Sequence, residues 1–175
     1  MTQMKKAAFP SRPKCPQCGL LLVPASGPLN AKIGIMPEFP GWEEKKQGLP
    51  LVGETGKIAQ AEFGKLGIAL HECRISNLWG HDPVEDEKEL GWHMAQAIRA
   101  LKKCKLILLM GSEVTQALLG SNVSDLYGLK VECEFFPDSV IMVSPNPAIA
   151  LHSTVGELRL SIQKFYKEAK RLKLC

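Results

Sequence analysis

The chain has 175 residues, of which 45% are hydrophobic and 23% are charged, and its formal net charge is +4. This length fits one domain with one substantial core, and this composition excludes a disordered or fibrous chain. We therefore expect residues 1–175 to form a single domain. The excess of positive charge is compatible with a polyanionic partner but too small to establish one.

The first residues of the chain differ in composition from the rest. Residues 1–14 carry basic side chains and two prolines without hydrophobic periodicity, so we expect a basic lead-in rather than a folded element. The chain has neither an apolar run of signal-peptide length at its start nor a membrane-spanning run, so we expect a cytoplasmic protein with no membrane partner. In that reducing compartment the 6 cysteines are free thiols or metal ligands rather than disulfides.

Apolar runs and helical periodicity alternate along the sequence. In chain order we predict a strand at 31–36, a helix at 55–67, a strand at 69–77, a helix at 87–103, a strand at 105–111, a helix at 112–120 with Ser112 as its N-cap, strands at 129–135 and 139–144, and a final helix with an apolar stripe from Val155 to Ala169. The Pro- and Gly-rich stretch between the first strand and the first helix is predicted to be a loop.

This alternation predicts a three-layer α/β/α sandwich with a central, mainly parallel sheet of four to five strands. In such sheets, ligands bind beyond the carboxyl ends of the strands. The candidate site therefore lies in three loops that each follow a strand, at residues 37–41, 76–83 and 144–153.

Each of these loops carries a polar side chain suited to nucleobase chemistry. Cleavage of the bond between a base and its sugar passes through an oxocarbenium-like centre, and a carboxylate such as Glu38 stabilises that charge or orients water. Asn77 offers an amide to a base edge, and Asn146 offers a donor to a carbonyl oxygen. Without further context, a glutamate between prolines is more often a solvated loop residue, and such asparagines are more often turn residues.

Five short segments extend this pattern over nearly the whole chain. They are CPQCGL at 15–20, PEFPGWEE at 37–44, GLPLVGETG at 48–56, SN at 76–77 and NPA at 146–148. In this order and spacing they resemble the uracil-DNA glycosylase superfamily, and most closely its family 4, whose members hold an iron–sulfur cluster. The resemblance implies that fold, a DNA partner, and an enzyme that flips a base out of the duplex and hydrolyses its N-glycosidic bond. It implies Glu38, Asn77 and Asn146 as the catalytic residues.

The same resemblance implies a set of residues that contact the substrate. They are Phe39, Gly41, Leu51, Gly53 and His152. The two glycines let the backbone approach a phosphate or sugar closely, and Phe39 narrows the base pocket or stacks on a base. His152 contacts a phosphate or remains in solvent.

Three positions depart from the pattern of the family. Pro37 replaces a glycine, Leu51 replaces the phenylalanine that stacks on uracil, and Asn146 replaces the histidine of the HPS motif. The loss of the stacking phenylalanine, together with the new bulk of Phe39, favours an altered or modified base over uracil. The changes at Pro37, Leu51 and Asn146 also support an alternative, in which the protein kept the fold, lost the chemistry and acts as a DNA-binding or replication-complex subunit, with replication or repair proteins as further partners.

Two cysteines and two histidines are predicted to bind a metal. His81 and His93 stand where the family has its third and fourth cysteines, so with Cys15 and Cys18 they make a CxxC plus H-x11-H set. Two thiolates and two imidazoles favour a tetrahedral structural zinc ion. The alternatives are a 4Fe–4S cluster, as in family 4, or a remnant that binds no metal.

Overall fold

The computed structural model describes residues 12–152 and 155–175, so most of the predicted basic lead-in lies outside the described residues. The strands are β1 (Ile33–Pro37), β2 (Arg74–Ile75), β3 (Leu106–Met110), β4 (Lys130–Val131) and β5 (Val140–Ser144). The helices are α1 (Trp42–Gln47), α2 (Glu54–Gly64), α3 (Glu87–Leu101), α4 (Ser112–Leu119), α5 (Ile149–His152) and α6 (Gly156–Arg171). Within these ranges, every helix is too short or too polar to cross a bilayer.

The strands form one five-stranded sheet in the order β2-β1-β3-β5-β4. All neighbouring pairs are parallel except β4 and β5, which are antiparallel. In the centre of the sheet Ile35 lies beside Leu108, and Leu108 lies beside Met142. The predicted mainly parallel sheet is confirmed.

The sheet is covered by helices on both faces because side chains alternate along each strand. Leu108 packs in one hydrophobic cluster with Phe63 of α2 and Phe165 of α6, whose rings meet edge to face at 6.1 Å. Ile107, its neighbour in β3, packs in the other cluster with Leu101 of α3. The predicted three-layer α/β/α sandwich is therefore confirmed.

The two outer strands are shorter than the sequence predicts. Of the strand predicted at 69–77 only β2 forms, after a 3₁₀ turn at Leu70–Glu72, and of the strand predicted at 129–135 only β4 forms. Both lie at an edge of the sheet, where each has one strand neighbour, so apolar content predicts their pairing poorly.

Residues 12–26, which we call the N-terminal arm, run beside β2. Ser26 pairs with Ile75 in antiparallel fashion, with N–H···O distances of 2.8 and 3.0 Å in the two directions. The amide of Val23 donates to the carbonyl of Gly80 at 2.7 Å. The arm thus supplies backbone partners to the edge strand.

The topology fixes where a ligand site is expected. After β1 the chain forms β2 on one side of that strand, and then β3 on the other side. The carboxyl ends of β1 and β3 therefore lie at a topological switch point, where open α/β sheets bind their ligands. Glu38 follows β1 at this point, and Gly111 follows β3.

Candidate functional site

Glu38 connects three loops at the switch point. Its side chain is buried, with 8% of its surface exposed. Oε1 accepts hydrogen bonds from the amide of Glu113 at 2.8 Å and the hydroxyl of Ser112 at 3.4 Å, while Oε2 accepts from Nδ2 of Asn146 at 2.6 Å. The carboxylate therefore joins the ends of β1, β3 and β5.

Glu38 caps helix α4 from a different strand. The N-cap residue is Gly111, with φ of 117°, and Ser112 is the first residue of the helix, so the prediction of Ser112 as N-cap is wrong. The amide that an N-cap side chain normally satisfies is bonded to Glu38 instead. A Cβ at Gly111 would lie 2.3 Å from Oε1 of Glu38, so only glycine leaves room for the carboxylate.

The charge of Glu38 acts on two neighbouring acids. Burial raises the pKa of Glu113, and the charge of Glu38 raises it further. Burial also raises the pKa of Tyr127, with smaller effects from Glu157 and Glu38. The charge of Glu38 therefore contributes a negative potential at both of these neighbouring groups.

Asn146 is fixed by both ends of its amide. Oδ1 accepts from the amide of Ala148 at 2.9 Å, while Nδ2 donates to Glu38. One N–H of Nδ2 and one lone pair of Oδ1 remain for a ligand. The side chain is half-buried, so a ligand can reach it.

Asn77 lies on the same rim without a direct bond to this pair. The amides of Leu78 and Trp79 donate to the carbonyls of Pro37 and Glu38 at 2.8 and 2.9 Å, which ties the two loops together. Asn77 is 7% exposed, and within residues 12–152 and 155–175 its Nδ2 has no hydrogen-bond partner. The structure therefore joins Glu38 to Asn146 directly, and to Asn77 through the backbone.

The predicted substrate residues fall into two groups. Phe39 is 41% exposed, and His152 is exposed at the end of α5, so both are accessible. Trp42 beside Phe39 is 68% exposed, and Nζ of Lys46 lies 4.8 Å from its ring centroid. Leu51, in contrast, is 6% exposed and packs in the core cluster that also contains Phe63.

A buried carboxylate occupies the space that Gly41 and Gly53 provide. A Cβ at Gly41 would lie 2.8 Å from Oε2 of Glu44, and a Cβ at Gly53 would lie 3.0 Å from both carboxylate oxygens. Oε1 of Glu44 accepts from the amides of Val52 and Gly53 at 3.0 and 2.7 Å, at the start of α2. These amides bind an anion of the protein itself, and a role of the two glycines toward phosphate stays a prediction.

Leu51 adopts a backbone conformation that is rare for its residue type. Its φ is 54°, in the left-handed region. Gly56 of α2 packs against it so closely that a Cβ there would lie 2.2 Å from the Leu51 carbonyl. The neighbouring helix therefore fixes the loop between Glu44 and α2.

Three of the four predicted metal ligands converge on one buried point, whereas the fourth, Cys18, is exposed and lies beside it. One donor atom each from Cys15, His81, Glu89 and His93 lies within 4.8 Å of all the others. Sγ of Cys18 lies 3.3 Å from Nε2 of His81. This cluster could hold a metal ion, and it contains Glu89, which the sequence analysis did not include.

The contacts of Nε2 of His81 in this metal cluster cannot all be hydrogen bonds, although two of them are shorter than the ligand spacing around a tetrahedral ion. Nε2 of His81 has Oε1 of Glu89 at 2.9 Å, Nε2 of His93 at 3.0 Å and Sγ of Cys18 at 3.3 Å. One imidazole nitrogen carries either one hydrogen or one lone pair, so it cannot satisfy three such partners. A tetrahedral ion with bonds of about 2.0–2.3 Å spaces its ligands by roughly 3.3–3.8 Å.

The protonation states of the cluster differ in how well they suit a metal, because His93 is neutral, whereas Cys18 must lose a proton to bind one. Burial, with a contribution from His81, lowers the pKa of His93 to about 4, which keeps this imidazole neutral, as a ligand must be. Hydrogen bonding to Glu89 raises the pKa of Cys18 to about 11. Nδ1 of His81 lies 2.7 Å from the carbonyl of Asp82, an arrangement that directs Nε2 to the centre.

A signal for Glu89 is present in the sequence. Glu89 and His93 are four residues apart on α3 and therefore lie on one face of the helix. The sequence also carries a signal for Glu44, which is the third residue of a short helix between two glycines. The first turn of this helix is acidic and its last turn is basic, which matches the helix dipole. Arg74, discussed below, has no sequence signal that separates it from other strand residues.

Comparison with known families agrees with this geometry. The model of the uracil DNA glycosylase superfamily matches residues 24–170, which include the loops of Glu38, Asn77 and Asn146. The match also includes His81, Glu89 and His93, whereas Cys15 and Cys18 precede it. Since the matched range covers most of the chain, the protein belongs to the uracil DNA glycosylase superfamily.

Proposed function

We propose that the protein is a DNA glycosylase that flips an altered or modified base out of DNA and hydrolyses its N-glycosidic bond. The observation that carries this proposal is the 2.6 Å hydrogen bond from Asn146 to Glu38 at the switch point of the sheet. This bond brings together an acid and an amide that are 108 residues apart in the chain. Base excision requires a carboxylate near the sugar and a donor near the base at one site.

The proposed chemistry uses the charge of Glu38. Bond cleavage leaves positive charge on the sugar and negative charge on the departing base. Glu38 stabilises the sugar cation or orients the attacking water, and the negative potential around it acts in the same direction. Asn146 donates its remaining N–H to a carbonyl of the base, and Asn77 offers its unpartnered Nδ2 to the base edge.

The preferred base is proposed to differ from uracil. Leu51 stands where the resemblance predicts a stacking ring, but its side chain packs in the core. The accessible aromatic surface near Glu38 comes from Phe39 and Trp42 on the adjacent loop. A base that carries a bulky substituent can contact these rings, which supports a modified pyrimidine as substrate.

We further propose that the closest branch is family 4 and that the metal cluster holds zinc in place of an iron–sulfur cluster. Two imidazoles and a carboxylate beside two cysteines suit a single zinc ion better than a cluster that requires four thiolates. Zinc would join the N-terminal arm to α3 and contribute folding energy. Cys15, His81 and His93 are proposed as ligands, with Cys18 and Glu89 as the candidates for the fourth position.

The activity is tested with oligonucleotides that contain one altered base each. Uracil, hypoxanthine, 5-hydroxymethyluracil and glucosylated 5-hydroxymethylcytosine are incubated with the protein, and abasic sites are then cleaved with alkali. We expect strand breaks on at least one substrate, and a loss of about 100-fold or more in rate for Glu38→Gln, which keeps the shape of the side chain but removes its charge.

The matched control is Glu43→Gln, which removes one negative charge from a neighbouring residue outside the site. We expect this variant to retain the wild-type rate. Equal rates for Glu38→Gln and wild type would contradict the catalytic role of Glu38. Tight DNA binding without strand breaks on any substrate would support the alternative function.

That alternative is a superfamily member without activity, which serves as a DNA-binding or replication-complex subunit. It is favoured by one observation, namely that both oxygens of Glu38 are already bonded to protein groups. A catalytic role requires that a remaining lone pair of Oε2 reach water or sugar, whereas a structural role requires only the bonds already made. In either case we propose DNA as the partner, residues 1–175 as one folding unit, and a cytoplasmic location.

A further inference from the structure

A cavity lies between the N-terminal arm and helix α3, and we call it the edge cavity. It is lined by parts of residues 13–29, 74–80 and 92–103 and has a volume of about 590 Å³. This volume lies in the range of small-molecule sites. The described lining includes neither Glu38 nor Asn146, so the edge cavity is separate from that pair.

The charged side chains around the edge cavity have one sign. They are Lys14, Arg74, Arg99, Lys102 and Lys103, and the described lining contains no carboxylate. In the parts of the chain that the structure describes, none of the five forms a salt bridge. Cations that surround a cavity without counter-charge attract an anion.

Two buried donors without partners belong to the same lining. Among the described residues, the buried side-chain nitrogen and oxygen atoms that lack a hydrogen bond are Nε of Arg74 and Nδ2 of Asn77. Because Asn77 is also proposed to bind the excised base, Arg74 carries the argument. Its guanidinium is fixed by a 2.7 Å bond to the carbonyl of Gly27, and its buried Nε has no partner among the described residues. Native proteins pair nearly all such groups, so a ligand with an acceptor is indicated.

Helix α3 adds groups suited to a nucleobase. Trp92 and Gln96 are four residues apart and therefore lie on one face of the helix, and both line the cavity. An indole ring stacks on any base, and a carboxamide pairs with a base edge. We propose that the edge cavity binds a nucleoside phosphate, with the phosphate on the basic rim and the base against Trp92.

The test is calorimetric titration of the full-length, zinc-loaded protein with thymidine 5′-monophosphate. Metal-loaded protein is used because His93 lines both the cavity and the metal cluster. We expect saturable binding that weakens by about tenfold or more in the double variant Arg99→Ala/Lys103→Ala, which removes charge-assisted contacts to phosphate. The matched control, Lys57→Ala/Lys167→Ala, removes the same charge from other helices and should bind like wild type.

A second variant tests the cavity itself. Ala100 lines it, so Ala100→Phe should block the base without a change of charge, and circular dichroism verifies that this variant is folded. The absence of saturable binding in wild type would overturn the proposal. So would equal affinity of the Arg99/Lys103 variant and wild type, or equal affinity for thymidine and its monophosphate.

The nucleoside phosphate has two possible sources, a free nucleotide or the end of a DNA strand. A short 5′-phosphorylated oligothymidine distinguishes them. Tighter binding of the oligonucleotide, lost in the Arg99/Lys103 variant, identifies a strand end, whereas tighter binding of the mononucleotide identifies a free nucleotide. Since the readout is binding rather than base release, the result is independent of whether the glycosylase proposal holds.

Discussion

Gly111 packs against Glu38 so closely that any other residue would displace the carboxylate. The ideal Cβ position at Gly111 is 2.3 Å from Oε1 and 2.4 Å from the carboxyl carbon of Glu38. The capping of α4 and the position of the acid are therefore one structural feature.

Gly111→Ala should lower the free energy of unfolding by about 2–3 kcal/mol, because φ of 117° is unfavourable for alanine and the new methyl group meets Glu38. The measurement is denaturation by urea. Gly120→Ala, at the end of the same helix with φ of 62° and open space around it, is the control and should cost only about 1 kcal/mol. Equal losses in the two variants would show that Glu38 is not confined by Gly111.

Asn146→Asp should make stability fall as pH rises. It places a second carboxyl group 2.6 Å from Glu38, and two carboxylates at that distance share one proton, which raises the pKa of the pair. A raised folded-state pKa gives stability that is present at low pH and lost as pH increases. Melting temperatures between pH 4 and 8, compared with those of Asn146→Ala, measure the effect. A variant with the wild-type pH profile would show that the two groups are apart in solution.

Glu44→Ala should destabilise the protein by about 2–4 kcal/mol, because it leaves the buried amides of Val52 and Gly53 without an acceptor. Glu44→Gln retains one acceptor oxygen and should cost less. Replacement of its exposed neighbour Glu54 by alanine should change stability by less than about 0.5 kcal/mol. If Glu44→Ala matches that control in urea denaturation, Glu44 does not hold the loop.

The purified protein should contain one zinc ion per chain, measured by atomic emission. Cys15→Ser should lose the metal and lower the melting temperature, and chelator should no longer affect it. Cys73→Ser is the control. Cys73 and Cys15 are each 2% exposed, but only Cys15 belongs to the metal cluster. A brown protein that absorbs near ~400 nm would instead identify an iron–sulfur cluster.

Glu62 should stabilise the protein only above acidic pH. Hydrogen bonding to Arg159, with help from Lys65, holds the pKa of Glu62 below its usual range. Its stabilisation is complete above the unfolded-state pKa of about 4.3 and is lost as pH falls through the lower folded value. Glu62→Gln should therefore lower the melting temperature at pH 7, and the difference from wild type should shrink as pH falls below about 4.3. A difference that persists unchanged in acid would contradict this assignment.

The sequence predicts the central strands and long helices well, because their signal is local. β3 is a continuous apolar run, and α3 shows regular helical spacing, so both are found within a few residues of their predicted bounds. The edge strands β2 and β4 are overestimated, because their length depends on neighbours far away in the chain. Helix α1 is not predicted, because one tryptophan followed by five polar residues shows no periodicity.

The candidate site is predictable in its members but not in their bonds. Glu38 and Asn146 follow the ends of strands, and these ends can be predicted from the sequence. Their mutual hydrogen bond, in contrast, depends on the packing of β1, β3 and β5. The role of Gly111 as the space for Glu38 has no local signal. Leu51 shows the reverse case, since its position in the motif predicts a ligand contact, whereas its left-handed backbone turns the side chain into the core.

The N-terminal arm does more than carry Cys15. By pairing with β2 through Ser26, it occupies backbone groups that would otherwise be open to a strand of another molecule. Cys15 of the arm and His93 of α3 both belong to the metal cluster, so loss of the proposed zinc ion should loosen the arm from the sheet edge while the core is still folded. We expect metal-depleted chains to self-associate at temperatures below their melting point. On heating, light scattering should therefore increase before the helical signal is lost.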